Sequence, residues 1–250
     1  MKKLWIEMIE LVVLGTSVGL LSGLFGIGGG TILVPLLLLL GYETKTAIGI
    51  SIVQMVFSSM YGSYLNHKKG TLDTLMVITI GVGGFCGALI SGSITSNFSD
   101  KTLEMFFLAF AIFALLRLFM KTYDYQNEKK VNKIMLFIIG FVIGAMSISI
   151  GVGGSLILVP ILVGFFHVPL KKATSAGLFF VVFSSVSGLI SHTLHGHVDY
   201  KSGIIIGLAS LVGVYVGIHV KHHILHVKVQ KRLLSAFYLV IVLYLLYRIF

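Results

Sequence analysis

The chain has 250 residues, of which 56% are hydrophobic and only 11% charged, and its mean hydropathy is +1.01. Soluble domains run about 45–50% apolar and about 25% charged, so a water-soluble enzyme or binding module is excluded. The formal net charge of +10, from 19 Lys and Arg against 9 Asp and Glu, would suggest nucleic acid in a soluble chain. Here it marks loops held on the cytoplasmic side of a cell membrane, and no nucleic-acid partner is expected.

The first apolar segment, residues 5–25, follows a charged start and contains Glu7 and Glu10. With no small-residue cleavage site, it reads as a retained helix and not a removed signal. A short segment follows at 30–40, then helices at 46–66, 72–96 and 103–120. Lys121 to Lys130 is the most polar stretch and reads as a cytoplasmic linker, 121–132, between membrane repeats at 1–120 and 133–250. The second repeat holds helices at 133–150, 173–193, 202–220 and 229–250, with another short segment at 155–166. Asp73 and Asp199 are placed to cap the fourth helix of each half. The lone Cys86 excludes an intrachain disulfide or a cysteine metal cluster.

The two halves share a pattern. Gly26 to Pro35 aligns with Gly151 to Pro160, identical at seven of ten positions. Gly15, Gly19 and Ser22 match Gly140, Gly144 and Ser147. After one added residue, Val56-Phe57-Ser58-Ser59 matches Val182-Phe183-Ser184-Ser185, and Gly81 matches Gly207. The expected fold class is therefore an all-α integral membrane protein of two homologous, inverted repeats. Each repeat has four long helices plus one short or re-entrant helix after a Gly-rich break. If the short segments cross, Lys and Arg divide 13 to 6 between the two faces; if they re-enter, 11 to 8. The positive-inside rule favours crossing, with the linker cytoplasmic and both termini outside.

The glycine-rich turns are the main candidate site. Each opens a short helix at Gly30-Thr31 or Ser155-Leu156, whose first N–H groups have no partner within the helix and sit at the positive end of its dipole. Such a helix start binds anions, and broken backbone at membrane depth occurs only where protein or a wet cavity covers it. The candidate substrate-binding residues are Gly28, Gly29, Gly30, Thr31, Gly153, Gly154 and Ser155, with Ser22 and Ser147 one turn earlier. The competing reading is tight helix packing. A nucleotide loop is excluded because neither copy ends in Lys-Ser/Thr.

The paired Gly-x-Gly-Gly-(Gly/Ser)-x-Ile-Leu-Val-Pro motifs, the half-length repeat and the total length resemble the sulfite exporter TauE/SafE family of membrane anion transporters. The resemblance covers essentially the whole chain. It implies secondary transport of a small, sulfur-containing anion such as sulfite or an organosulfonate, with no cofactor. It assigns no binding residue.

Gln54, alone among amides in lying well inside a span, is a further candidate contact, set against a plain interhelical hydrogen bond. Asn66 and His192 occupy matching helix ends and could serve gating or coupling, or simply meet headgroups and water. His219, His222 or His223, and His226 share a helical face. They define the alternative, a divalent-metal transporter, against a basic interfacial loop. A non-transporting scaffold is the other alternative. No His-Glu-x-x-His or internal Asp pair supports an enzyme. The lipid bilayer is the expected partner, while the coupling ion, proton or sodium, and a homo-oligomer are left open.

Overall fold

The computed structural model describes residues 2–25, 29–67, 74–119, 132–223 and 227–250. Among them it contains eleven helices and no strand. These are α1 (Lys2–Phe25), α2 (Gly30–Leu39), α3 (Thr44–His67), α4 (Thr74–Ala88), α5 (Ser91–Asn97) and α6 (Asp100–Phe119) in the first half. The second half holds α7 (Lys133–Ser149), α8 (Ser155–Phe166), α9 (Leu170–Leu194), α10 (Tyr200–His223) and α11 (Val227–Ile249). The short helices begin where the glycines and end near where the sequence places them. Asp199 caps α10, accepting from the Ser202 N–H at 3.2 Å and the Ser202 hydroxyl at 2.6 Å. Asp73 lies outside the described residues.

Among the described residues, five stretches are long and apolar enough to cross a membrane: Glu7–Leu24, Leu75–Asn97, Lys172–Leu194, Tyr200–Gly217 and Arg232–Ile249. The sequence suggested eight long segments. The other three correspond to α3, diluted by hydroxyls and Gln54, to α6, and to α7 with 17 residues. The expected continuous helix at 72–96 is broken at Leu89 and Ile90 into α4 and α5.

Helices of one half pack mainly on those of the other. The α1 helix lies along α10, α4 along α7 and α9, α3 along α9 and α10, and α6 along α11. Glycine makes these approaches possible. A Cβ on Gly15 or Gly19 would strike the backbone at Ile206 or Ser210, and one on Gly140 or Gly144 would strike Ile80 or Gly84. With lipid as apolar as the side chains, such close backbone packing is a principal source of helix association. Tight packing and glycine-rich helix starts thus coexist, each at its own glycines.

One end of the bundle is polar. Glu7 and Glu10 of α1, Leu40 and Tyr42 after α2, and Asp199 and Lys201 at the start of α10 line a cleft of about 450 Å³. The exit of α2 therefore lies at the same end as the start of α1. Nearby, Arg248 of α11 donates to Glu104 of α6 at 3.1 Å, to the Leu38 carbonyl at 2.9 Å and to the Tyr244 hydroxyl at 3.0 Å. Glu104 is only 6% exposed and also accepts from Thr44 at 2.7 Å. Three helices, α3, α6 and α11, meet at that carboxylate, and Arg248 ties α2 to them through the Leu38 carbonyl. Arg248→Ala strands that buried charge, a change that costs about 3–5 kcal/mol when both partners are buried. Because Arg248 is 31% exposed, we expect about 2 kcal/mol, read as a thermal midpoint in detergent lower by roughly 4–8 °C.

Candidate functional site

The two glycine-rich segments, far apart in sequence, meet in the buried middle of the bundle. At α2, the Ile32 and Leu33 N–H groups donate to the Gly29 carbonyl at 3.1 and 2.9 Å. At α8, Ile157 and Leu158 donate likewise to the Gly154 carbonyl at 3.1 and 3.0 Å. The N–H groups of Gly30 and Thr31, and of Ser155 and Leu156, therefore precede the first bond of each helix, with no carbonyl of their own helix behind them.

Helix α3 supplies the walls. The Ser51 hydroxyl donates to the Gly151 carbonyl at 2.9 Å, joining the first half to the second turn. A Cβ on Gly30 would collide with the Gly151 carbonyl and sit 2.6 Å from Met55 Sδ, and one on Gly153 would sit 3.2 Å from the same sulfur. Met55 thus packs against both turns. A Cβ on Gly29 would fall within the Gln54 amide. In the other half, a Cβ on Gly154 would meet Ser147 Oγ at 2.6 Å and the Phe180 ring at 2.8 Å. Gln54 and Phe180 therefore play corresponding spatial parts, each covering a glycine at a helix start.

The glycines are needed for different reasons. Gly29 has helical angles, φ −68° and ψ −26°, and is required for the close approach of Gln54. Gly154 and Gly151 adopt φ +72° and +70°, the left-handed region that favours glycine.

Gln54 is fully buried, and neither its Nε2 nor its Oε1 has a hydrogen-bond partner among the described residues. The interhelical hydrogen bond considered for it from sequence is not seen. Thr31, 1% exposed, faces the buried Tyr238 of α11. No spacing in the sequence signals that contact. Ser22 and Ser155 are buried. Ser147 lies beside Gly154, but its hydroxyl proton is committed to the Ile143 carbonyl at 2.6 Å. Its oxygen is left only as an acceptor.

Gly28 and His226 lie outside the described residues, as do the side chains of Asn66, His222 and His223. Among the described residues no group of three or more His, Cys, Asp or Glu is placed to hold a metal ion. His192 is fully buried, and neither of its ring nitrogens has a hydrogen-bond partner among the described residues. It is not a helix end merely meeting water.

Membrane-spanning helices, interrupted by paired buried helix starts, define a multi-pass membrane transporter. A family model for the sulfite exporter TauE/SafE matches residues 11–245, and the chain belongs to that family. It is 27% identical over 221 residues to the probable membrane transporter protein YunE of Bacillus subtilis, covering 76% of this chain and 80% of that one. A second Bacillus subtilis protein, the probable membrane transporter YdhB, is 27% identical over 211 residues, with 80% and 84% covered. A probable membrane transporter of Methanocaldococcus jannaschii is 28% identical over 192 residues, with 73% and 71% covered. No solved structure matches the chain.

Alanine at two left-handed glycines separates backbone strain from crowding. Gly196 also has φ +72°, but a Cβ there meets nothing within 4 Å. We expect Gly196→Ala to cost about 1–2 kcal/mol from conformation alone. Gly154→Ala should cost about 1–3 kcal/mol more, because Ser147 and Phe180 must move. Thermal midpoints of the two variants in the same detergent check the order.

Proposed function

We propose that the protein is a secondary transporter, not an enzyme, that carries a small anion of the sulfite or organosulfonate class through a site between its halves. The substrate sits against the N–H groups that open α2 and α8, near Gly29, Gly30, Thr31, Gly153, Gly154 and Ser155, with Gln54 as its side-chain donor. Ser22 and Gly28 belong to the same neighbourhood, and Ser147 acts there as a packing partner of Gly154. The observation that carries this reading is the Gln54 amide, fully buried beside a helix start and without a hydrogen-bond partner among the described residues. An orphaned buried amide costs about 1–3 kcal/mol, and a bound oxyanion would repair the loss of its donor's partner. Uncharged N–H groups suit a transported anion because they compensate charge without binding it as tightly as a buried cation.

The two halves act as inverted repeats that rock about this site to give alternating access. The matching contacts support that reading. A Cβ on Gly81 would meet the Phe183 ring at 2.6 Å, and one on Gly207 would meet the Phe57 ring at 2.5 Å. Each half inserts the same aromatic into the same helix of the other.

Gln54→Leu tests the assignment with two readouts. Leucine has similar volume and no polar atoms, so the folded protein should gain about 1–3 kcal/mol. In proteoliposomes, counterflow of sulfite, sulfoacetate and thiosulfate should fall at least about tenfold, equivalent to about 1.4 kcal/mol, with chloride and Ni²⁺ as controls. A stabilised variant that keeps full counterflow of the anion carried by the wild type would remove Gln54 from the site.

A further inference from the structure

A second polar cluster lies away from the glycine turns, where α9 ends and the loop to α10 begins. His192, His195 and His197 are neighbours there, with ring centroids 5.4 Å apart for His192 and His197 and 6.1 Å for His195 and His197. The last two rings stack at 25°. They are not arranged to share a metal ion. His192 is sealed from solvent, and among the described residues neither of its nitrogens nor His197 Nδ1 has a hydrogen-bond partner. His195 is exposed. A path of imidazoles thus runs from the surface to a buried ring with no hydrogen-bond partner.

The short helix α5 rests on this cluster. Ser93 Oγ is 3.2 Å from His195 Nε2, and Ser96 Oγ is 3.3 Å from His197 Nε2. The Gly92 N–H donates to Ser191 Oγ at 2.9 Å, and that hydroxyl in turn donates to the Leu89 carbonyl at 2.6 Å in the gap between α4 and α5. On its other side, α5 reaches the end of α7. Thr95 donates to the Ser149 carbonyl at 2.8 Å, two residues before Gly151. One seven-residue helix therefore touches both the histidines and the residue that leads into the second glycine turn.

We propose that His192, His195 and His197 form a proton-binding site whose occupancy decides whether α5 stays docked on α9. The charged groups around the site set the direction. Lys45 of α3 faces it, and its ammonium donates to the Ser96 carbonyl at 3.2 Å. Asp100, at the start of α6, is the acidic group that opposes it. The α5 helix offers only hydroxyls, and Tyr200 of α10 is engaged by Thr193. His197 is held below its ordinary range, first by burial, then by Lys45 and His195, with Asp100 pulling the other way. The docked state binds protons poorly, because each new charge is desolvated and faces other cations. An undocked α5 would admit water to the same rings and let them bind protons better. Protons must therefore favour the undocked state, and the docked state is retained as pH rises. Through Thr95 and Ser149, undocking loosens the turn at Gly151. The site is thus a proton-operated gate on the path to the glycine turns, and only that consequence rests on the transport reading.

Hydrogen–deuterium exchange of the full chain in lipid nanodiscs tests the gate without any substrate. Protection of residues 91–97, corrected for intrinsic exchange, should fall about tenfold between pH 7.5 and pH 5.5, the response of one histidine of ordinary pKa, about 6.5, that takes up its proton only when α5 is undocked. Protection in α1 and α10 should not change. In a His192→Gln/His197→Gln double variant, α5 should lose this pH dependence. If that variant is not monodisperse, His195→Gln, at an exposed position, serves instead and should reduce the response. Equal wild-type protection at both pH values overturns the proposal, as does a folded double variant that keeps the full response. A pH-dependent α5 in a protein without anion counterflow would overturn the transport reading and leave the proton site standing.

Discussion

Every helix that stops inside an apolar bundle leaves backbone groups that water cannot reach, and this constraint shapes the molecule. The structure meets it by sealing each interruption from another helix. Ser51 of α3 covers the Gly151 carbonyl, Ser187 and Ser191 of α9 cover carbonyls at Phe85 and Leu89, and Thr95 of α5 covers Ser149. The partners are far apart in sequence, so the breaks cannot be satisfied by one half of the chain alone. Short hydroxyl side chains suit this work because they bond at close range without bringing charge into the bundle.

The same constraint explains where glycine is indispensable. Lipid gives apolar helices no hydrophobic reason to associate. Their contact must come from close surfaces, and Gly15, Gly19, Gly140 and Gly144 allow backbone to meet backbone. Gly29, Gly30, Gly153 and Gly154 serve a second purpose by letting Gln54, Met55 and Phe180 close over the helix starts. Packing and site formation are therefore not competing explanations of a glycine-rich membrane chain. They apply to different glycines.

Two groups remain that packing alone would not select. Gln54 and His192 are fully buried, and their side-chain nitrogens, with the Gln54 amide oxygen, have no partner among the described residues. They lie on different helices, Gln54 beside the first glycine turn and His192 beside the α5 helix that bonds to the residue leading into the second. Buried polar groups are nearly always paired in folded proteins, so their retention is most readily understood through the substrate and the proton assigned to them above.

The amino-acid sequence by itself determined the membrane class, the positions of the short helices and the two glycine-rich segments. Composition, glycine breaks and hydropathy act over a few residues and need no distant partner. It also singled out Gln54, because an amide in an apolar run is conspicuous wherever it points. Only the tertiary structure decided that Ser51 seals Gly151, that Ser147 spends its proton on its own helix and that Glu104 is buried against Arg248. It alone broke the helix at Leu89 and Ile90, between Gly87 and Gly92, where the hydroxyl of Ser191 takes up the Leu89 carbonyl. Apart from the Ser147 bond, these features depend on groups 100 to 144 residues apart meeting at hydrogen-bond distance, and such meetings leave no periodic trace in the chain.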